Sequence, residues 1–258
     1  NRVEPRVDPV PMRMHGTGFL FACNGQSMVW AQSIIRGMYQ MESIRVSLPD
    51  GSVIEVPRET TIRDLAARLS PRLAARAILG LVDGVAHDLS YPITADAAVT
   101  IADETSPEGL DAMRHTAAHV MAQAVLRVFP GTKLAIGPTI ANGFYYDFDK
   151  DGSFTPDDLV RIEAEMGRIV KEDLPIAREE IPIAEALKRL ADAGEVYKTE
   201  LLEDLAAQGE QTVSFYRQGE FVDLCRGPHL PRTGMLRAFK LLNVAGAYWR
   251  GDEARPML

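Results

Sequence analysis

Cysteine is scarce in this chain: two residues in 258, at positions 23 and 225, which excludes a disulfide framework. Their distance and dissimilar contexts suit a reduced, cytosolic protein. Long hydrophobic runs are lacking too. The apolar stretches are short and interrupted, and the N-terminus has no signal-peptide order, so a soluble, cytoplasmic chain with no membrane partner is expected. Nor is there a surplus of basic charge. Lys and Arg number 28 against 36 Asp and Glu, a net charge of −8 that argues against coating nucleic acid electrostatically. Aromatic residues make up 7%, too few outside one patch for extensive single-strand stacking.

What the chain does have is concentrated. Three of its five histidines and one cysteine fall in two clusters, His115-Thr-Ala-Ala-His119 and Asp223-Leu-Cys225-Arg-Gly-Pro-His229. Histidine can donate, accept or ligate metal near neutral pH, and a thiol beside it points to chemistry. Arg226, Arg232, Arg237, Lys240 and Arg250 crowd near the second cluster. They suit one phosphate-bearing strand end, or are ordinary solvated charges.

A chain of this length suggests two domains. Residues 1–40 hold no sustained period and are expected to be an unstructured or artefactual N-terminal extension. From Ile44 the pattern alternates, turns at Pro49-Asp50-Gly51 and returns through Val53 to Val56, a hairpin. Thr61 caps a helical pattern ending near Pro71, and apolar runs at 77–82 and 98–101 complete a small β-grasp-like domain over 41–103. The second domain, 104–258, is expected to be α+β. Ser106-Pro107-Glu108 starts a helix carrying both His115 and His119 to about Val128. Residues 144–148 read as a strand, with Tyr145 in the core and the Tyr146 hydroxyl available. Thr155 starts a second helix running to about Glu172, and Ile183 a third. Strands are expected at 213–217, 221–224 and 239–242.

Positions i and i+4 of a helix share a face, so His115 and His119 can reach one ion, water or substrate oxygen. Arg-Gly-Pro cannot continue a helix, so Cys225 and His229 sit on a turn. Together the four are a plausible tetrahedral zinc set, or a metal-free group that orients water and moves protons as an ester is cleaved, or buried core residues. Asp223 lies on the same strand face as Cys225, where it can orient an imidazole or bind an amino group. Lys198 can steady a phosphate or developing negative charge.

These strings, with Ala135-Ile-Gly-Pro138, Asn142-Gly-Phe-Tyr-Tyr-Asp147, Tyr197-Lys198 and Gly246-Ala-Tyr-Trp-Arg-Gly-Asp252, resemble the N-terminal half of bacterial threonyl-tRNA synthetase. The 41–103 domain resembles its TGS domain. The resemblance implies a domain that hydrolyses serine mischarged onto tRNA(Thr), with His115, His119, Cys225, His229, Asp223 and Lys198 as catalytic candidates and Tyr146 and Arg226 binding the substrate. It implies metal-free hydrolysis, with zinc at the four-residue group as the other possibility, as in the alanyl-type editing domains that share the plan. A non-catalytic tRNA-binding or regulatory fragment and a generic zinc hydrolase of small esters are further alternatives. In that family the chain continues into an aminoacylation core, which would use ATP, Mg and zinc and form a homodimer. This stretch is accordingly expected not to activate threonine.

Overall fold

Alternating residues build the first sheet. The computed structural model describes residues 42–258, so the reading of 1–40 lies outside the described residues. In β1 (Ser43–Ser47) Ile44 and Val46 point inward, and β2 (Val53–Pro57) returns antiparallel with Val56 beneath them. A two-residue strand β3 (Thr60–Thr61) leads into α1 (Ile62–Leu69), whose first turn is capped by the Thr61 hydroxyl accepting from the Asp64 N–H. Ile62, Leu65 and Ala66 are buried from α1. Ser70 caps a short helix α2 (Pro71–Arg76), followed by β4 (Leu79–Val82), β5 (Val85–Asp88), β6 (Pro92–Ile93) and β7 (Ala97–Ala102). The five-stranded order is β2-β1-β7-β4-β5, in which β1 and β7 run parallel and the other pairs antiparallel, and α1 packs its apolar face on it. This is a β-grasp arrangement, with β5 at the sheet edge.

The core continues without a break past residue 103. Ile78, Leu79 and Ala102 share one hydrophobic cluster with α3 (Pro107–Val128), and Ser43–Leu258 forms one compact unit. Ser106 caps α3 by accepting from the Gly109 N–H, and Pro107 occupies the first turn. Ala112, Ala117, Ala118, Ala122 and Ala124 are all buried, so α3 is enclosed on most sides. Beyond it lie the short strands β8 (Lys133–Leu134), β9 (Thr139–Ile140), β10 (Gly143–Phe144) and β11 (Phe148–Asp149), then α4 (Pro156–Glu172), which opens with a capping box between Thr155 and Asp158. The second main sheet is antiparallel, β12 (Ile176–Pro182), β13 (Thr212–Gln218) and β14 (Phe221–Leu224), with α5 (Ile183–Asp192) and α6 (Val196–Ala207) between its first two strands.

Three expectations are corrected. Residues 145–147 are not a strand: β10 and β11 flank them in different ladders. Residues 239–242 form no strand either, because this run finds no ladder partner and instead the Leu241 N–H and the Lys240 ammonium bind Glu163. Tyr145, expected in the core, is 42% exposed, and it is Tyr146 that is buried. Tyr146 serves both core and polar role, its ring stacking on Phe148 at 4.9 Å while its hydroxyl finds a buried carboxylate.

Arg127 near the end of α3 ties this region together. Its guanidinium donates to Glu172 through two nitrogens (2.7 and 2.9 Å), to Glu165 (3.1 Å) and to Glu220 (2.6 Å). The bond from Arg127 holds the Glu220 carboxyl down to about 2, against an ordinary value of 4.5. A depressed carboxyl stabilises the fold above its unfolded value, and that contribution disappears as pH falls through the folded one. Arg127→Met is therefore expected to lower stability at neutral pH by roughly 1–2 kcal/mol. In urea unfolding, the gap between the unmodified chain and Glu220→Gln should close as pH falls from 4.5 towards 2, whereas a constant gap would contradict the assignment.

Candidate active site

Two elements carry the four chemical side chains. On α3, His115 and His119 are one helical turn apart, rings 5.3 Å apart and nearly perpendicular. After β14 the chain turns through Cys225-Arg-Gly-Pro-His229, which returns His229 over the same helix face, its ring 4.1 Å from His115 and 4.2 Å from His119. The Cys225 Sγ lies 3.1 Å from His115 Nε2 and 3.3 Å from His229 Nε2. All four ligand-type atoms fall within 4.8 Å of one another.

The turn owes its shape to particular contacts. Cys225 donates its N–H to the Ser214 carbonyl at 3.0 Å and accepts the Ser214 hydroxyl at 2.6 Å, extending the β13–β14 pairing by one residue. Gly227 has a φ of +70°, a conformation that disfavours side chains. A Cβ there would also sit 1.8 Å from the Tyr216 hydroxyl, so glycine is needed twice over. On the other side the Thr116 hydroxyl accepts the Leu230 N–H at 2.9 Å and lies 3.3 Å from His229 Nδ1.

Beneath this group is a buried charged hub. Asp223, 4% exposed, pairs with Lys198 Nζ at 2.8 Å, accepts the Tyr146 hydroxyl at 2.7 Å and lies 3.5 Å from His119 Nε2. Burial alone would raise this carboxyl, but Lys198, His119 and Tyr146 together hold it below its ordinary value. Lys198 enters from the first turn of α6, and Tyr146 fits because Gly137 has no Cβ to strike its ring. Burial pushes the other groups towards their neutral forms: His115 is lowered, His119 falls to about 3, His229 falls well below its usual range, and the Cys225 thiol rises to about 12. The metal-free group is thus three neutral imidazoles and a thiol above an ion pair.

The four residues could also hold a metal ion. Tetrahedral zinc keeps N and S ligand atoms roughly 3.3–3.8 Å apart, close to the Cys225 distances found here. His119 and His229 each have a polar neighbour, Asp223 and Thr116, at one ring nitrogen, the outer support that metal-binding imidazoles use.

Of the residues singled out in the sequence, His115, His119, Cys225, His229, Asp223, Lys198 and Tyr146 come together, and Arg226 lies at the edge, exposed. Arg226 and Cys225 line one side of a cavity of about 350 Å³ walled by Leu201, Leu205 and Val213. The expected basic patch is partly spent: Arg232 pairs with Asp173, Lys240 with Glu163, and Arg250 with Glu200 and Asp204. Sequence reading does not single out Asp88, Thr116, Glu195 or Tyr216. Glu195 is adjacent to the hub in space, its Oε2 buried without a hydrogen bond and its carboxyl raised by burial and by Asp223.

The TGS domain family matches residues 44–103, and the threonyl and alanyl tRNA synthetase second additional domain matches residues 213–258. The threonine–tRNA ligase of Carboxydothermus hydrogenoformans is 53% identical over 215 residues, 83% of this chain and 34% of that protein. Those of Citrifermentans bemidjiense and Halalkalibacterium halodurans are 53% and 49% identical over 218 and 219 residues, each 84% of this chain and 34% of the relative. Over this stretch the chain belongs to the threonine–tRNA ligase family, and it spans about one third of the length of the curated relatives it matches. The second additional domain is the editing-related part of that family. No helix among the described residues is long and apolar enough to cross a membrane.

The hub is testable apart from any activity. Removing one partner of a buried ion pair strands the other charge, so Lys198→Met is expected to cost about 3–5 kcal/mol in denaturant unfolding. The double variant Lys198→Met/Asp223→Asn should recover part of that loss, and simple additivity of the two single changes would refute the pairing.

Proposed function

We propose that this chain edits: it hydrolyses the ester of serine mischarged onto the 3′ end of tRNA(Thr). On this reading the full-length protein attaches threonine to tRNA(Thr) with ATP, through an aminoacylation core that also supplies Mg and zinc sites and homodimer contacts. The observation that carries the editing reading is the convergence of three neutral imidazoles and a thiol on one small site above the Asp223–Lys198 pair.

Water is the nucleophile this group favours. With its thiol held near 12, Cys225 is protonated at neutral pH and is a poor attacking group, and burial leaves His119 too weak a base, so the partly exposed imidazole of His115 is the group to take a proton from water. Water adds to the ester carbonyl carbon, the bond from that carbon to the ribose oxygen breaks, and the proton passes to the leaving ribose oxygen. His115 and Cys225 are the partly exposed members, so the ester meets them first, while His119 and His229 are buried behind. Arg226 at the rim is placed for the strand's phosphate, and Asp223 with Lys198 and Tyr146 sets the depth of the site. Discrimination requires a cramped site. Threonine exceeds serine by one methyl, worth only about 1–3 kcal/mol in a binding pocket, so a second pocket that shuts out the larger side chain supplies what the first cannot.

Zinc held by His115, His119, Cys225 and His229 would act as a Lewis acid on the carbonyl. The metal-free reading is preferred because the resemblance to threonyl editing domains implies it. The chain should release serine from seryl-tRNA(Thr) and leave threonyl-tRNA(Thr) intact, with His119→Ala and Cys225→Ala each slowing release by roughly 10²-fold or more. Equal activity in the variants would leave binding as the role. Loss of activity on chelation, together with stoichiometric zinc by elemental analysis, would replace the metal-free mechanism.

A further inference from the structure

The His229 turn is held from a direction the editing reading does not use. Asp88 ends β5, the edge strand of the β-grasp sheet, and lies opposite Leu79 in the ladder with β4. Its Oδ1 accepts the main-chain N–H of His229 at 3.0 Å, and its Oδ2 accepts the Tyr216 hydroxyl at 2.5 Å. Tyr216 is fully buried on β13, its ring 4.4 Å from the His229 ring and its hydroxyl under Gly227, at the closest approach the turn allows. One carboxylate therefore bridges the ring beneath the turn and the backbone of its last residue.

We propose that Asp88 is a positioning residue for this pocket, so that the β-grasp part completes the site rather than merely preceding it. The inference rests on the editing reading for its catalytic consequence, but not for its geometry. The His229 Nε2 to Cys225 Sγ distance of 3.3 Å is set by where the turn closes, and the Asp88 carboxylate and the Thr116 hydroxyl grip that closure by accepting the His229 and Leu230 N–H groups. Releasing one lets His229 shift relative to His115 and His119. Shifts of about an ångström in a reacting group cost up to roughly a hundredfold in rate. Asp88 makes no hydrogen bond to the four-residue group's ring nitrogens or sulfur and its charge reaches His115 and Cys225 only weakly, so it acts chiefly through His229 and Tyr216.

The experiment uses the whole chain with Asp88→Ala, Asp88→Asn and Tyr216→Phe, reading single-turnover deacylation of seryl-tRNA(Thr) at several enzyme concentrations and amide hydrogen exchange at His229. Asp88→Ala should slow the maximal rate roughly 10- to 100-fold with half-saturation changed less than about twofold, and should speed exchange at His229 by about tenfold or more. Asp88→Asn keeps an acceptor for His229 and gives a donor to the Tyr216 oxygen, so it should come back to within about threefold of the unmodified rate. Tyr216→Phe, which retains the ring, should move both readouts in the same direction as Asp88→Ala. An unmodified rate with unmodified His229 exchange in Asp88→Ala overturns the proposal, as does faster exchange spread evenly over both sheets, the mark of general destabilisation. If the unmodified chain does not deacylate, the editing reading falls, and exchange at His229 alone decides the brace: selective acceleration upholds it, no change refutes it.

Discussion

Everything in the pocket hangs on a carboxylate that cannot be solvated. Asp223 is buried between Lys198, Tyr146 and His119, which come from three separate segments of the chain and meet at its carboxylate. A lone charge at that depth would cost several kcal/mol, so the pair is tolerated only while its hydrogen bonds are complete. The arrangement is therefore all-or-none in character. Displacing any one segment leaves an unsatisfied group behind it, and this is why the hub specifies the position of α6, β14 and the 140s loop relative to α3.

Above the hub the chemistry is governed by desolvation. Three imidazoles packed against one another at 4.1 to 5.3 Å between ring centres cannot all carry charge, and burial settles the matter in favour of the neutral forms. The thiol is kept protonated by the same burial and by the Asp223 charge beneath it. A group of weak bases and a weak acid, none of them charged, is suited to moving protons around a neutral ester, and the one charged pair is kept a layer below.

Much of this was legible because local signals were strong. Ser106-Pro107 and Thr155-Pro156 mark the starts of α3 and α4 through capping chemistry confined to a few residues, and the helical spacing of His115 and His119 and the helix-breaking Arg-Gly-Pro before His229 follow from the same local rules. The convergence of the two clusters was foreseen from residue type and family likeness. What local rules could not supply were elements without a cap or a clean period. α6 begins at Val196 with no side-chain cap, and β12 exposes most of its residues on a sheet edge, so neither left a pattern to read. Residues 239–242 carry a strand-like composition yet lack any strand to pair with. Alternation puts Tyr145 in the core only where the backbone is a regular strand, which it is not here, while Tyr146 keeps its polar role and packs in the core as well. Asp88 was invisible for a plainer reason: its partners lie 128 and 141 residues away, and an acid at the end of an edge strand looks like any solvated charge.

The alanine lining of α3 limits how such a pocket can change. A helix whose neighbours press on methyl groups along most of its circumference has no slack to rotate or slide, and larger side chains at Ala117, Ala118 or Ala122 would meet packed atoms at once. The two histidines on it are thus a fixed rail. The opposing loop is scarcely freer, since Gly227 lies against the Tyr216 hydroxyl and the His229 and Leu230 N–H groups are held by Asp88 and Thr116, so room for change is left to the partly exposed rim at Cys225 and Arg226.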